Sequence, residues 1–307
     1  MRSDSVVFVK PNFTWPRFRP GVVTSPQFLS ALLPILKERA NRVLLGESDL
    51  PIFNTSRAFK ELGIERICKS AGVETVELSR IPSSRVEVSV GGKKIRLSLP
   101  TLLLNEMDVL VNVPVPKCHV ITRMSGAMKN LYGLIPDPYR GNRHRHEINR
   151  AIVAVNKVVK SDLVVVDGLF SLDGRGPILG SPVRTNMIMA ANNAPVADSL
   201  ISRFFGMEPE SIEHLRLAAR EGLGPLDLAE VGLRGTLEPS IRLRPRKAPI
   251  DYLASLTFKS KIINKMIMDS PLSPLLYKVM TPFRSKQEVQ RYEEDMGGLP
   301  RSQFRSD

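Results

Sequence analysis

The chain has 307 residues, is 42% hydrophobic, and carries a net charge of +13 from 44 Lys and Arg against 31 Asp and Glu. That apolar content is too high for a disordered polymer and suffices for one large core or two modest ones, while no apolar run approaches the ~20 residues of a membrane-crossing helix. The two cysteines, Cys68 and Cys118, fall short of the four thiolates that an iron–sulfur cluster or zinc knot needs within one chain.

Cysteine usage fits a reducing compartment. The N-terminal MRSDSVVFVK enters a strand without the long apolar core of a signal peptide, so a soluble cytoplasmic protein is expected. Positive charge favours an anionic partner: a small phosphate or carboxylate, nucleic acid, or an acidic membrane face. Aromatic residues make up only 6%, and no zinc-finger, aromatic RNA-binding or helix-turn-helix signature is present. Nucleic acid is therefore the weakest of the three.

In chain order, residues 5–10 (SVVFVK) form a continuous β-rich run that reads as a buried parallel strand, stopped by Pro11. Thr24-Ser25-Pro26 is a helix start, and the spacing of Phe28, Leu32, Leu33, Ile35 and Leu36 fits one helical face. Residues 42–46 predict the next strand, followed by Glu47. One amphipathic helix is expected over 55–71, stopping at Gly72, then a short strand over 73–78. Residues 86–97 alternate about Gly91-Gly92 and predict a β-hairpin. A helix from Pro100 leads into a strand over 108–113. A further helix (148–160), a strand (163–167), a Gly/Pro loop (168–184), a strand (187–191) and a helix (195–205) complete the pattern.

Alternating strands and helices imply an α/β fold: a largely parallel sheet flanked by helices, with a small β-hairpin excursion. The expected division is a domain over 1–247 and a Met- and Lys-rich helical extension with a polar tail over 248–307. In open α/β sheets a ligand lies beyond the strands' carboxyl ends, which here carry Lys10 and Asn12, Glu47, Lys117 and His119, and Asp167.

The densest chemistry lies in residues 117–146, which hold His119, His144 and His146, three of the four histidines. Six cations (Lys117, Arg123, Lys129, Arg140, Arg143 and Arg145) stand there against one acid, Asp137. Such crowding points to an anion site, a solvated basic loop being the plainer reading. If a helix begins near His119, then His119, Arg123, Gly126 and Asn130 share one stripe, and Gly126 lets a ligand approach the backbone. Lys10, Asn12, Lys117, Arg123, Asn130, Arg140 and Arg143 would bind the anion. His119 would give or take a proton. Crowding by Lys117 and Arg123 would lower the pKa of Lys129, suiting it to act as base or nucleophile.

His144 and His146 form a possible metal pair, with His119 as a third ligand, although the adjacent arginines oppose a dication. Asp167 would orient a histidine or bind a metal, a strand-end turn residue being the plainer reading, and His146 would serve as a second proton-moving imidazole. Gly174-Arg175-Gly176-Pro177 reads as a turn, and Asp198 as an acid stabilised by the first turn of its helix. No Gly-x-Gly-x-x-Gly, Walker or Gly-x-Ser-x-Gly motif is present, so nucleotide hydrolysis and serine-hydrolase chemistry lack support.

The segments VFVKPNF, MDVLVNVPVPKCH, SGAMKNLYGLIP, LVVVDGLFSLDGRGPILGSP, APVADSL and AREGLG resemble domain-of-unknown-function family 362 in order and spacing, over roughly residues 5–235. The resemblance implies an α/β protein with no settled activity. Many members carry a ferredoxin-like cysteine segment; this chain lacks it, so no cluster of its own is expected. A fainter, local resemblance is to lactate racemase-type enzymes, in which a lysine holds a nickel-pincer nucleotide. His119, Ser125-Gly126-Ala127-Met128-Lys129 and His144 or His146 follow a comparable order, with Gly-Ala in place of Gly-Gly. It implies Lys129 as attachment point and the histidines as metal ligand or proton-transfer base.

Two functions are therefore in view. The first is an enzyme acting on a small anionic substrate by proton-transfer or redox-linked chemistry, with a divalent metal or pincer-type cofactor as possible aids. The second is a non-catalytic carrier whose basic C-terminal helices dock to a membrane or redox partner.

Overall fold

The structure, a computed structural model, describes residues 4–252 apart from 51–52, 139, 141–143, 228, 230, 237–240 and 250, and of Arg145 only the backbone. The chain divides into two units, Met1–Arg246 and Lys247–Asp307; the first is described below. Beyond Tyr252 the helical extension expected over 248–307 lies outside the described residues.

Five parallel strands form the frame: β1 (Val6–Lys10), β2 (Arg42–Glu47), β3 (Glu74–Glu77), β6 (Val109–Asn112) and β9 (Leu163–Asp173). Their order is β3-β2-β1-β6-β9, and the sheet continues through β7 (Lys117–His119) and the antiparallel β8 (Arg123–Ser125). β10 (Ser181–Ala191) runs antiparallel along β9. The two-stranded sheet of β4 (Ser83–Val90) and β5 (Lys93–Pro100), joined through Gly91-Gly92, is the hairpin expected from the alternation.

β1 reads as a central strand because it is one. Val7, Phe8 and Val9 have no exposed surface, each such side chain contributing about 1.5–3 kcal/mol of burial, and β1 pairs with β2 on one side and β6 on the other. Helix α1 (Pro26–Lys37) starts where Ser25 Oγ accepts the N–H of Phe28 at 3.2 Å, with Pro26 in its first turn. Among the described residues the other named α-helices are α2 (Thr55–Glu61), α3 (Ile64–Ser70), α4 (Thr101–Asn105), α5 (Ala127–Leu131), α6 (Ile148–Val158), α7 (Ala194–Phe204) and α8 (Glu213–Arg220). The apolar faces of α6, α7 and α8, including Ile152, Ala197 and Leu215, merge with Val164 and Val166 of β9 in one core.

Three expectations are corrected. The helix over 55–71 is two helices, broken at Leu62-Gly63, where Gly63 adopts a φ of 68°. The loop expected over 168–184 is mostly strand: the β9–β10 ladder runs from Val164 opposite Ala191 to Asp173 opposite Ser181. Gly168, which reads as a breaker, sits inside β9 because a Cβ there would stand 2.7 Å from the Met187 carbonyl oxygen. Finally, no helix begins near His119. β7 and β8 form a hairpin that sets His119 opposite Arg123, and the helix waits until Ala127.

Candidate functional site

The carboxyl ends of the parallel strands are bound together by a chain of side-chain amides. Lys117, fully buried, donates to Asn12 Oδ1 at 2.6 Å and to the Val22 carbonyl. Asn12 Nδ2 donates to Asn130 Oδ1 at 2.9 Å, and Asn130 Nδ2 donates to Asn112 Oδ1 at 2.8 Å and to the Lys10 carbonyl at 3.1 Å. Asn112 Nδ2 closes the chain on the Ala127 carbonyl at 2.9 Å and on Ser161 Oγ at 3.1 Å. Three of the residues expected to bind an anion are thereby joined, and their polar atoms are largely spent on one another. Inside VLVN, Asn112 reads only as a strand end.

Lys10 is likewise engaged, in a buried ion pair with Glu47 and a 2.7 Å bond to the Pro11 carbonyl. Burial pulls its pKa down against the attraction of Glu47. Lys117 faces only neutral acceptors; burial, then the charge of Lys129, holds it well below an ordinary lysine, with Asp167 opposing. Asp167 accepts the N–H of Ser25 at 2.7 Å, so it anchors the start of α1 and acts as a distant counter-charge.

Helix α5 is positioned by a residue whose role the sequence disguised. Asp198 lies inside α7, beyond its first turn, fully buried, and accepts the N–H groups of Ala127 at 2.5 Å and Met128 at 3.0 Å. It therefore caps α5 and not its own helix. Burial raises its pKa to about 7. Gly126 is required by this contact: the space beside its Cα holds the Asp198 carboxylate, not an approaching ligand. Asn156 of α6 completes the clamp by donating to the Met128 carbonyl at 2.9 Å.

Lys129 projects from this clamped helix. It is partly exposed, and among the described residues its Nζ has no hydrogen bond or ion pair. Burial, then the charge of Arg140, lowers its pKa to about 8: the amine is reached by solvent yet poorly hydrated. The direction matches the sequence expectation; the cause is desolvation and Arg140, not Lys117 and Arg123. His119 is buried, and its Nδ1 accepts the N–H groups of Ile121 at 3.1 Å and Thr122 at 3.3 Å. Burial, then Lys129 and Lys117, hold its pKa well below the ordinary value. A neutral ring whose Nδ1 is an acceptor carries its proton on Nε2. His119 is thus a donor fixed in one tautomer, and among the described residues its Nε2 has no partner.

The fourth histidine, His214 of α8, belongs beside these two. It is fully buried, neither ring nitrogen has a protein partner among the described residues, and burial followed by the charge of Lys129 lowers its pKa to about 3. When protonated, it in turn lowers the pKa of His119. Nothing in the sequence marks it, since a lone histidine on an amphipathic helix reads as packing.

Other expected residues stand apart. Arg123 is exposed at the hairpin end, with a φ of 66°. Arg140 is buried, donating to the carbonyls of Asp49 at 2.7 Å and Asp137 at 3.2 Å, and acts on Lys129 through its charge. Arg143 lies outside the described residues. His144 and His146 both face Glu147, at 3.7 and 3.8 Å. Among the described residues no three of His, Cys, Asp and Glu come together as a metal site, so the expected ligand set of His119 with His144 and His146 does not form there.

Comparison with known proteins sets this geometry in a family. The model described as a domain of unknown function, DUF362, matches residues 7–203, a span holding every residue of the site except His214. A relative described as thylakoid-associated protein sll1697, from Synechocystis, is 26% identical over 228 residues, covering 71% of this chain and 68% of that protein. A crystal structure from Thermotoga maritima is 14% identical with a TM-score of 0.35, covering 72% of this chain and 55% of that one, a likeness too distant to bear on the site. The chain belongs to the DUF362 family.

Proposed function

We propose that this protein is an enzyme that binds a small oxyanion, a carboxylate or a phosphate, against Lys129 and His119 and moves a proton on it. The observation that carries this reading is the pair of unpartnered groups, Lys129 Nζ and His119 Nε2, in a buried setting with no acid among the charges acting on either. Uncompensated cationic and N–H groups in a poorly hydrated site favour an anion.

The roles divide by chemistry. His119 Nε2–H, fixed by two backbone donors on the other nitrogen, donates to an oxygen on which negative charge grows. Lys129, with a pKa near the operating pH, is the base. Its free amine takes the proton, the broken bond leaves its electron pair on the substrate, and Nζ becomes an ammonium. Lys117 and Arg140 contact no ligand in this scheme; the buried charge of Arg140 favours the anion from behind. The racemase-type resemblance would instead place a covalent group on Lys129, and the intact mass of the denatured protein from its own host distinguishes that from a free amine. The reading is tested by calorimetric titration of inorganic phosphate and acetate into the full chain and into Lys129→Met. Saturable binding that falls at least tenfold in a folded variant supports it; equal binding in both contradicts it.

A second reading rests on the thylakoid-associated relative and the net charge of +13: peripheral attachment to an acidic membrane surface. No helix among the described residues is long and apolar enough to cross a membrane. Co-sedimentation with anionic vesicles, absent with neutral ones and lost at high salt, is the expected outcome of that reading.

A further inference from the structure

His214 presents an unsolved problem of burial. Its side chain has no exposed surface, yet both ring nitrogens lack a protein partner among the described residues. Burying polar nitrogens without hydrogen bonds is costly, and no solvent reaches the ring. A packing role alone would be better filled by leucine or phenylalanine. Most polar groups on the packed elements are committed elsewhere, although Asn149 Oδ1, Arg150 Nε and Arg203 Nε also lack partners among the described residues. Asp198 holds Ala127 and Met128, Glu213 accepts from Asn149 at 2.7 Å, and Lys157 pairs with Glu221. Arg203 reaches the Leu226 carbonyl at 3.3 Å and Glu208 at 3.8 Å. Arg150, also on α6, and Arg216, on α8 itself, bear no lone pair and so can only donate.

Lys129 is the complementary group. It too has no partner among the described residues, and it is the one other ionisable group whose charge registers at His214. Helices α5 and α8, which carry the two, both pack against α6 and α7. A lysine has a long flexible stem and three donors. An imidazole shielded from water and kept neutral offers an acceptor at any physiological pH.

We propose that His214 is a positioning residue for Lys129: a ring nitrogen accepts a hydrogen bond from the Lys129 ammonium when Nζ turns inward from the ligand. The amine that has taken a proton is thereby held in the interior, and its return outward re-presents it to the substrate. This deepens the reading of Lys129 as the base and rests on it. The proton stays on Nζ throughout and is shared, not transferred, so no further acid or base is needed.

The test uses the full chain without ligand, following the pKa of Lys129 through its Cε resonance in wild type, His214→Phe and His214→Gln. Loss of the acceptor is expected to lower the Lys129 pKa by about one unit, a tenfold loss of proton affinity, and glutamine, which keeps an acceptor, to restore it. A folded His214→Phe with an unchanged Lys129 pKa overturns the proposal. Independently of any variant, the His214 ring nitrogens of the wild type should move as Lys129 titrates; resonances that stay flat across that titration also overturn it. Failure here with anion binding still dependent on Lys129 leaves the enzyme reading standing. A Lys129–His214 coupling without anion binding removes that reading and keeps the contact.

Discussion

The carboxylate of Asp198 fills the space that a side chain at position 126 would occupy: a Cβ on Gly126 would stand 2.1 Å from Asp198 Oδ1. Two distant stretches of sequence are thus fitted to each other, and the short helix bearing Lys129 depends on the fit.

Asp198→Ala leaves the N–H groups of Ala127 and Met128 buried without acceptors. A loss of about 2–4 kcal/mol is expected, read by urea or thermal unfolding. Gly126→Ala should be destabilising for the converse reason, since it drives a methyl group into the carboxylate. Both should weaken anion binding, because both displace α5.

Asn130 is the link that joins the ends of β1 and β6 to one helix. Asn130→Ala deprives Asn12 Nδ2, Asn112 Oδ1 and the Lys10 carbonyl of partners at once. The expected cost is about 2–4 kcal/mol, more than a single exposed hydrogen bond would carry. Equal stability of variant and wild type in denaturant titration would show the amide chain to be incidental.

The lysine and the histidines shape stability on opposite sides of neutrality. Lys129 titrates near 8 in the folded chain and near the ordinary lysine value when unfolded. Between those pH values the unfolded chain binds more protons, so stability rises as pH rises from about 8 towards 10.5. Below 8 the penalty of the buried ammonium is fully present, and Lys129→Met should relieve it, stabilising the protein at pH 7 by about 1–2 kcal/mol. His119 and His214 are held neutral in the fold. The unfolded chain protonates them below about 6.5, so their contribution is lost as pH falls through that value. His214→Phe should flatten the acid side of the stability profile, measured by thermal melts across pH.

Much of the frame could be read from the sequence because buried parallel strands announce themselves. VVFVK, RVLLG and LVVVD are apolar runs with nothing else to be, and the ends they carry do converge. The hairpin at Gly91-Gly92 followed from alternation. What escaped was set by contacts across the chain. Gly168 reads as a loop residue, yet Met187 packs against it within the ladder. Asp198 reads as a helix-dipole acid, yet its partners lie on another helix. The helical stripe from His119 to Asn130 failed because a β-hairpin intervenes, which three-residue strands do not advertise. Of the site, Lys129 and His119 were legible as types of chemistry. The fixed tautomer of His119 and the presence of His214 were not, since both depend on neighbours distant in the chain or on backbone groups.

The most direct test of the account is competitive labelling of Lys129 with acetic anhydride across pH, with and without inorganic phosphate, mapped by peptide mass. The account predicts half-maximal reactivity near pH 8 and protection when phosphate is present. Reactivity that rises only near the ordinary lysine value, untouched by phosphate, would show an unremarkable surface amine and contradict the site.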